Sequence, residues 1–118
     1  MASKADFLAT WDHDVKTLKK VLALAVKLRR DFYAHRKIKA KLGPGVAVSI
    51  FRDKSTRTKY SYMAAASLLG LSVMDFNEEA SQVAHGETVM ETVNMLGFAT
   101  KAVGIRDDIY LGMGHKYM

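Results

Sequence analysis

Cysteine is absent from the 118 residues, which removes disulfide frameworks, thiolate zinc sites and cysteine nucleophiles together. A reducing compartment is compatible with that absence without being required by it. Long apolar runs are missing too. The longest weakly polar stretch, Met63 to Met74, is interrupted by Ser67, Gly70 and Ser72, whereas a membrane-spanning helix needs about 20 predominantly apolar residues. The first residues, Met1-Ala2-Ser3-Lys4-Ala5-Asp6, hold neither an apolar segment nor a small-residue cleavage site. A secretion signal is therefore not expected, and a cytoplasmic location is. The composition, 49% hydrophobic and 25% charged, is ordinary for a globular chain and gives no reason to invoke wholesale disorder. The length suits one small domain, since domains typically run about 100 to 150 residues.

Charge is unevenly spread. The net charge is +6, but residues 1–41 hold 11 Lys/Arg against 4 Asp/Glu, while the remainder holds 7 against 8. Such asymmetry marks either a surface for nucleic acid or an anionic membrane, or the solvated face of one amphipathic helix, and the second is the commoner case.

Between Asp14 and about Leu42, the apolar positions Val15, Leu18, Leu22, Ala25, Leu28 and Phe32 follow the spacing of a helix with one buried face. Asp12 or Asp14 is placed to cap it, a break is possible near Tyr33 to Arg36, and Gly43-Pro44-Gly45 stops any helix that reaches it. Val46-Ala47-Val48-Ser49-Ile50-Phe51 is short and β-branched, as a strand buried on both faces would be. After a polar turn, Thr58 to Leu69 carries Tyr60, Met63, Ala64 and Leu68 at helical spacing. Leu71 to Phe76 reads as a second strand, Asn77 to Gly86 as a loop, Glu87 to Thr100 as a helix with Val89, Val93, Leu96 and Ala99 on one stripe, and Ala102 to Ile105 as a third strand. The order α-β-α-β-α-β favours an α/β fold, three-layered, with a short parallel sheet between helices. Ligands in such sheets bind beyond the carboxyl ends of the strands, which here are Phe51 to Thr56, Phe76 to Gly86 and Arg106 to Asp108.

Ser55-Thr56-Arg57-Thr58 stands where the first strand feeds a helix. Its hydroxyls and amides surround the positive end of the helix dipole, the arrangement of an anion site. Simple N-capping by Ser55 or Thr56 explains the same residue types equally well. Arg57 adds a guanidinium fork suited to phosphate. The glycines and the Gly-Lys-Ser/Thr ending of a nucleotide phosphate loop are missing, and Gly104, Gly112 and Gly114 do not make a dinucleotide fingerprint. His13, His35 and His115 have no second ligand at metal spacing, so no metal site is expected. The seven methionines lie mainly in apolar runs and read as core fillers.

From Asp6 to Arg106 the chain resembles the aspartate and ornithine carbamoyltransferases, in the domain that binds carbamoyl phosphate. Phe51-Arg52-Asp53-Lys54-Ser55-Thr56-Arg57-Thr58 is similar to the family's phenylalanine and Ser-Thr-Arg-Thr at a strand-to-helix turn. Ser81-Gln82-Val83-Ala84-His85-Gly86-Glu87-Thr88, followed by Glu91-Thr92, resembles a loop that reaches a neighbouring subunit's site. Ala102-Val103-Gly104-Ile105-Arg106 is similar to a strand ending in an arginine that contacts the carbamoyl group. The wording Ser-Ile-Phe-Arg-Asp and Ala-His-Gly-Glu-Thr is most similar to a YgeW-like branch, which leaves the acceptor amine open.

The resemblance implies that Ser55, Thr56, Arg57 and Thr58 bind the phosphate of carbamoyl phosphate, with Thr58 and Arg106 also at the carbamoyl oxygen in the catalytic role. It implies further that Ser81 and His85 serve a neighbouring subunit, that the acceptor is amino-acid-like, that the full-length protein is a homotrimer, and that no cofactor, nucleic acid or membrane takes part. Two positions depart from the family's usual pattern: Lys59 replaces a second arginine, and His85 stands where aspartate-type relatives carry a phosphate-binding lysine. The family's His-Pro-x-Gln segment and acceptor domain have no counterpart in residues 1–118, so the chain corresponds to part of the carbamoyl-phosphate-binding domain, with the acceptor domain absent. The alternative from another class is a noncatalytic basic module whose first helix contacts nucleic acid or another anionic partner. Trp11, Phe32 and Tyr33 are among the rings that segment offers to stack on bases.

Overall fold

The computed structural model describes residues 6–51, 55–76 and 89–106. The chain divides into two compact units, Met1–Ala40 and Lys41–Met118.

In the first unit a 3-10 turn, Thr10–Asp12, precedes helix α1, Val15–His35. Asp14 is the cap: its carboxylate accepts from the Thr17 amide at 2.7 Å, satisfying one of the first-turn donors that a helix leaves without a partner. The helix ends at Arg36, which turns into the left-handed region at φ 54° while its N–H still reaches the Phe32 carbonyl. The expected extension to Leu42 therefore does not occur; the break near Tyr33 to Arg36 is the end, well before Gly43-Pro44-Gly45. The expected buried face is absent as well. None of the 21 residues of α1 is buried, and Val15 and Leu22 are each 66% exposed. The periodicity correctly marks a helix, but this unit has no other long element among its described residues to lie against it.

The second unit is an open parallel sheet. Strand β1, Val46–Phe51, is followed by helix α2, Thr56–Leu68, strand β2, Ser72–Asp75, helix α3, Val89–Ala99, and strand β3, Ala102–Arg106. The strands run in the order β2-β1-β3, with Ser49 opposite both Asp75 and Gly104, and Phe51 opposite Arg106. Alternate residues of a strand face opposite sides, and β1 uses both. Val48 and Ile50 pack with Leu96 of α3 on one face, while Ala47 packs with Ala66 of α2 and Leu71 on the other. This is the three-layer α/β arrangement that the segment order called for.

The helix faces differ in part from the periodicity. In α2, Tyr60 is 65% exposed and the inward side is that of Tyr62 and Ala66. An alanine-rich middle has little hydrophobic contrast, so spacing alone does not choose its face. In α3, Leu96 of the expected stripe is buried, as is Thr92, and Ala99 is exposed, while the side chains of Val89 and Val93 lie outside the described residues. A glycine pair holds the entry to β1: Gly70, at φ +83°, ends α2 as few other residues could, and a side chain on Gly43 would run into the Gly70 carbonyl. Leu42 and Gly43 both donate their amides to the Leu69 carbonyl, at 2.8 and 3.1 Å.

Ile50 is 1% exposed at the centre of the α3-side cluster. Ile50→Ala is expected to cost about 2–5 kcal/mol of stability, read as a lowered midpoint in urea unfolding; an unchanged midpoint would contradict the two-faced burial of β1.

Candidate functional site

The carboxyl ends of β1 and β3 lie side by side, and the amino end of α2 stands over them. Ser55 occupies the cap position of α2, yet its side chain caps nothing. Its Oγ instead accepts from Arg106 Nη1 at 2.7 Å, and the same nitrogen donates to Thr58 Oγ1. Capping and ligand-facing roles were both open from the residue types; capping is not the role of Ser55 here. The first bond of the helical ladder, Lys59 amide to Ser55 carbonyl, leaves the amides of Thr56, Arg57 and Thr58 ahead of it. Thr56, Arg57 and Thr58 are exposed. Ser55, Thr58 and Arg106 thus come together from two elements, with Thr56 and Arg57 on the same turn. Ser81 and His85 lie outside the described residues, as do the rest of Asn77 to Gly86, the turn residues Arg52-Asp53-Lys54 and the segment after Arg106.

Next to this turn is a group that sequence reasoning noted only through the Lys59 departure. Lys59 donates to Asp75 Oδ2, and Asp75 Oδ1 accepts from the hydroxyl of Ser49 at 2.7 Å. Ser49 is fully buried in the central strand. A serine among Val, Ala and Ile in a doubly buried strand must find a hydrogen-bond partner, and the parallel register supplies Asp75. Burial pushes the Asp75 carboxyl up, but the bonds from Lys59 and Ser49 outweigh it and hold the group below the ordinary 3.8.

Tyr62 ties α2 to the sheet a turn further on. Its hydroxyl donates to the Val48 carbonyl at 3.1 Å, and burial raises its ionisation point against the effect of a backbone bond from Gly104. The ring lies over Gly104, where an added Cβ would sit 2.6 Å from it. The basic α1 is arranged differently. Lys27 pairs with Asp31 at 2.8 Å, Arg29 lies over the Tyr33 ring at 5.7 Å, and Arg36 lies over the Phe32 ring at 5.6 Å. Two of the three rings proposed for base stacking therefore carry a guanidinium of their own segment. Among the described residues no three metal-capable side chains cluster, and no helix is long and apolar enough to cross a membrane.

Residues 5–117 match the family model described as the aspartate/ornithine carbamoyltransferase, carbamoyl-P binding domain. The chain belongs to this family. It is 49% identical over 114 residues to the proposed carbamoyltransferase YgeW of Escherichia coli K12, a match that covers 96% of this chain and 28% of that protein. Aspartate transcarbamoylase from Trypanosoma cruzi, solved with carbamoyl phosphate and aspartate, superposes with a TM-score of 0.75 at 26% identity, over 85% of this chain and 31% of that one. The catalytic subunit of M. jannaschii aspartate transcarbamoylase shares the fold with a TM-score of 0.75 at 21% identity, over 94% of this chain and 36% of that one. The chain thus spans under a third of the length of the curated relatives it matches.

Because the folded-state Asp75 is held below its ordinary value, its charged form stabilises the carbamoyltransferase domain fully above about pH 4, and that contribution fades as pH falls through the lowered value. The gap in urea midpoint between the native chain and Asp75→Asn is expected to be open at pH 7 and to narrow as the pH falls below 3.8; a gap independent of pH would show that Asp75 acts otherwise than through its charge.

Proposed function

We propose that the chain is the carbamoyl-phosphate-binding portion of an enzyme that transfers the carbamoyl group to the amine of an amino-acid-like acceptor and releases phosphate. The observation that carries this reading is the meeting of Arg106 with the hydroxyls of Ser55 and Thr58 at the start of α2. A cationic fork, two hydroxyls and a helix amino terminus make a site for a dianion. The same donors suit the reaction. The amine attacks the carbonyl carbon, negative charge grows on the carbonyl oxygen, and the carbon–oxygen bond to phosphate breaks with the electrons going to the phosphate, which takes up the proton that the amine nitrogen gives up. Thr58 and Arg106 stabilise the carbonyl oxygen, and Ser55, Thr56, Arg57 and Thr58 hold the phosphate as its charge rises. No covalent intermediate with the protein is needed.

The acceptor is assigned by analogy to the aspartate of the T. cruzi relative. In this reading Ser81 and His85 are delivered to a neighbouring subunit's site in a cytoplasmic homotrimer of the full-length protein, and His85 takes the place of a phosphate-binding lysine. Sedimentation of the full-length protein as a trimer is the expected result; a fully active monomer would exclude the shared site.

The direct test is a two-dimensional amide NMR titration with carbamoyl phosphate, with inorganic phosphate as the control. Shifts are expected to centre on Ser55 to Thr58 and Arg106 and to be larger for carbamoyl phosphate. Arg57→Ala should weaken binding by about tenfold or more, the loss of one charge-assisted contact of about 1.5–3 kcal/mol. Unchanged affinity in the folded variant would refute the assignment.

A further inference from the structure

Lys59 and Asp75 are placed where they can control the site without entering it. The first turn of α2 is held from two sides. On one, Arg106 at the end of β3 takes Ser55 and Thr58; on the other, Asp75 at the end of β2 takes Lys59, the residue next to Thr58. β2 and β3 flank β1 on opposite edges, so the two anchors come from strands about two spacings, roughly 10 Å, apart. One anchor would let a helix end pivot; two from strands on opposite sides of β1 restrain its rotation as well as its position. The carboxylate is itself held: Oδ1 accepts from Ser49, a fully buried residue opposite it in register, which leaves Oδ2 for the ammonium of Lys59. Lys59 is only partly exposed, and its charge is matched by Asp75, so it serves as a tether and not as a further cation for the phosphate.

We infer that the Ser49–Asp75–Lys59 chain is a positioning device that sets the first turn of α2, so that Ser55 and Thr58 present their hydroxyls to Arg106 at the geometry the anion requires. The inference rests on the anion-site reading above and assigns that site a positioning pair, Lys59 and Asp75, that does not touch the substrate.

The test uses the full 118-residue chain with Asp75→Asn, Lys59→Met, the double variant and Lys59→Arg, reading two signals by NMR: the dissociation constant for inorganic phosphate, and the Arg106 side-chain Nε–Hε resonance without ligand. Each single neutral variant is expected to weaken phosphate binding by about three- to tenfold and to move the Arg106 signal. The double variant should be no weaker than the worse single, because both remove one interaction. Lys59→Arg, which keeps the charge, should stay within about twofold of the native chain, a rescue that general loss of packing would not produce. If Asp75→Asn fails to fold, Ser49→Ala replaces it, with a smaller loss in the same direction. Binding by folded Asp75→Asn that equals or exceeds the native value would overturn the inference. If the native chain shows no phosphate response, the anion-site reading fails, and the positioning device is judged on the Arg106 signal alone: displacement in both neutral single variants upholds it, and constancy overturns it.

Discussion

Four consecutive residues of β1, Ala47 to Ile50, are buried. A strand covered on both faces needs a helix layer on each side and a hydrogen-bonded neighbour along each edge. α2 and α3 provide the layers, and β2 and β3 the neighbours. The chain steps from β1 to β2 and then back across β1 to β3, and crossovers of one hand in opposite directions deliver their helices to opposite faces. The same reversal leaves a crevice at the carboxyl ends of β1 and β3. The candidate site lies there because the central strand had to be buried.

The chemistry at that point is a matter of charge held in place. Arg106 is drawn to two hydroxyls of a turn that also begins a helix dipole, so that cation, hydroxyls and amides share one small volume. An ammonium one residue away would compete for the same anion if it were free to move. It is bound instead by a carboxylate that is oriented by a buried serine. Such a network has consequences beyond its size, because each member restricts the geometry of the next.

Much of this was legible in residue order. Five elements fall where patterning places them to within a few residues, since Gly70 punctuates them and β1 reads as a continuous apolar run, and α1 starts where expected but ends at His35, short of Gly43-Pro44-Gly45. Ser55, Thr58 and Arg106 were legible through their resemblance to known motifs. Three things were not. The periodicity of α1 implied a buried face, yet none of its residues is buried, because a pattern states what a helix can cover and not what is there to cover it. The spacing of Tyr60, Met63, Ala64 and Leu68 does not mark the inward face of α2, because alanines carry little contrast: Tyr60 is exposed, Ala66 is buried, and the Tyr62 hydroxyl donates to the Val48 carbonyl. Nothing local singles out Asp75, which lies 26 residues from Ser49 and 16 from Lys59.

By itself the order of residues determined the local menu: where helices start, which segment is a doubly buried strand, which turn carries hydroxyls and a guanidinium, and which family those motifs belong to. Those features depend on neighbours within a few positions, where backbone sterics, capping and side-chain period act directly. Only the tertiary structure decided that Ser55 faces Arg106 and does not cap its own helix, and that Lys59 is engaged by Asp75. Both outcomes depend on parallel strand register, which sets residues distant in the chain at hydrogen-bond distance, and no local preference encodes that separation.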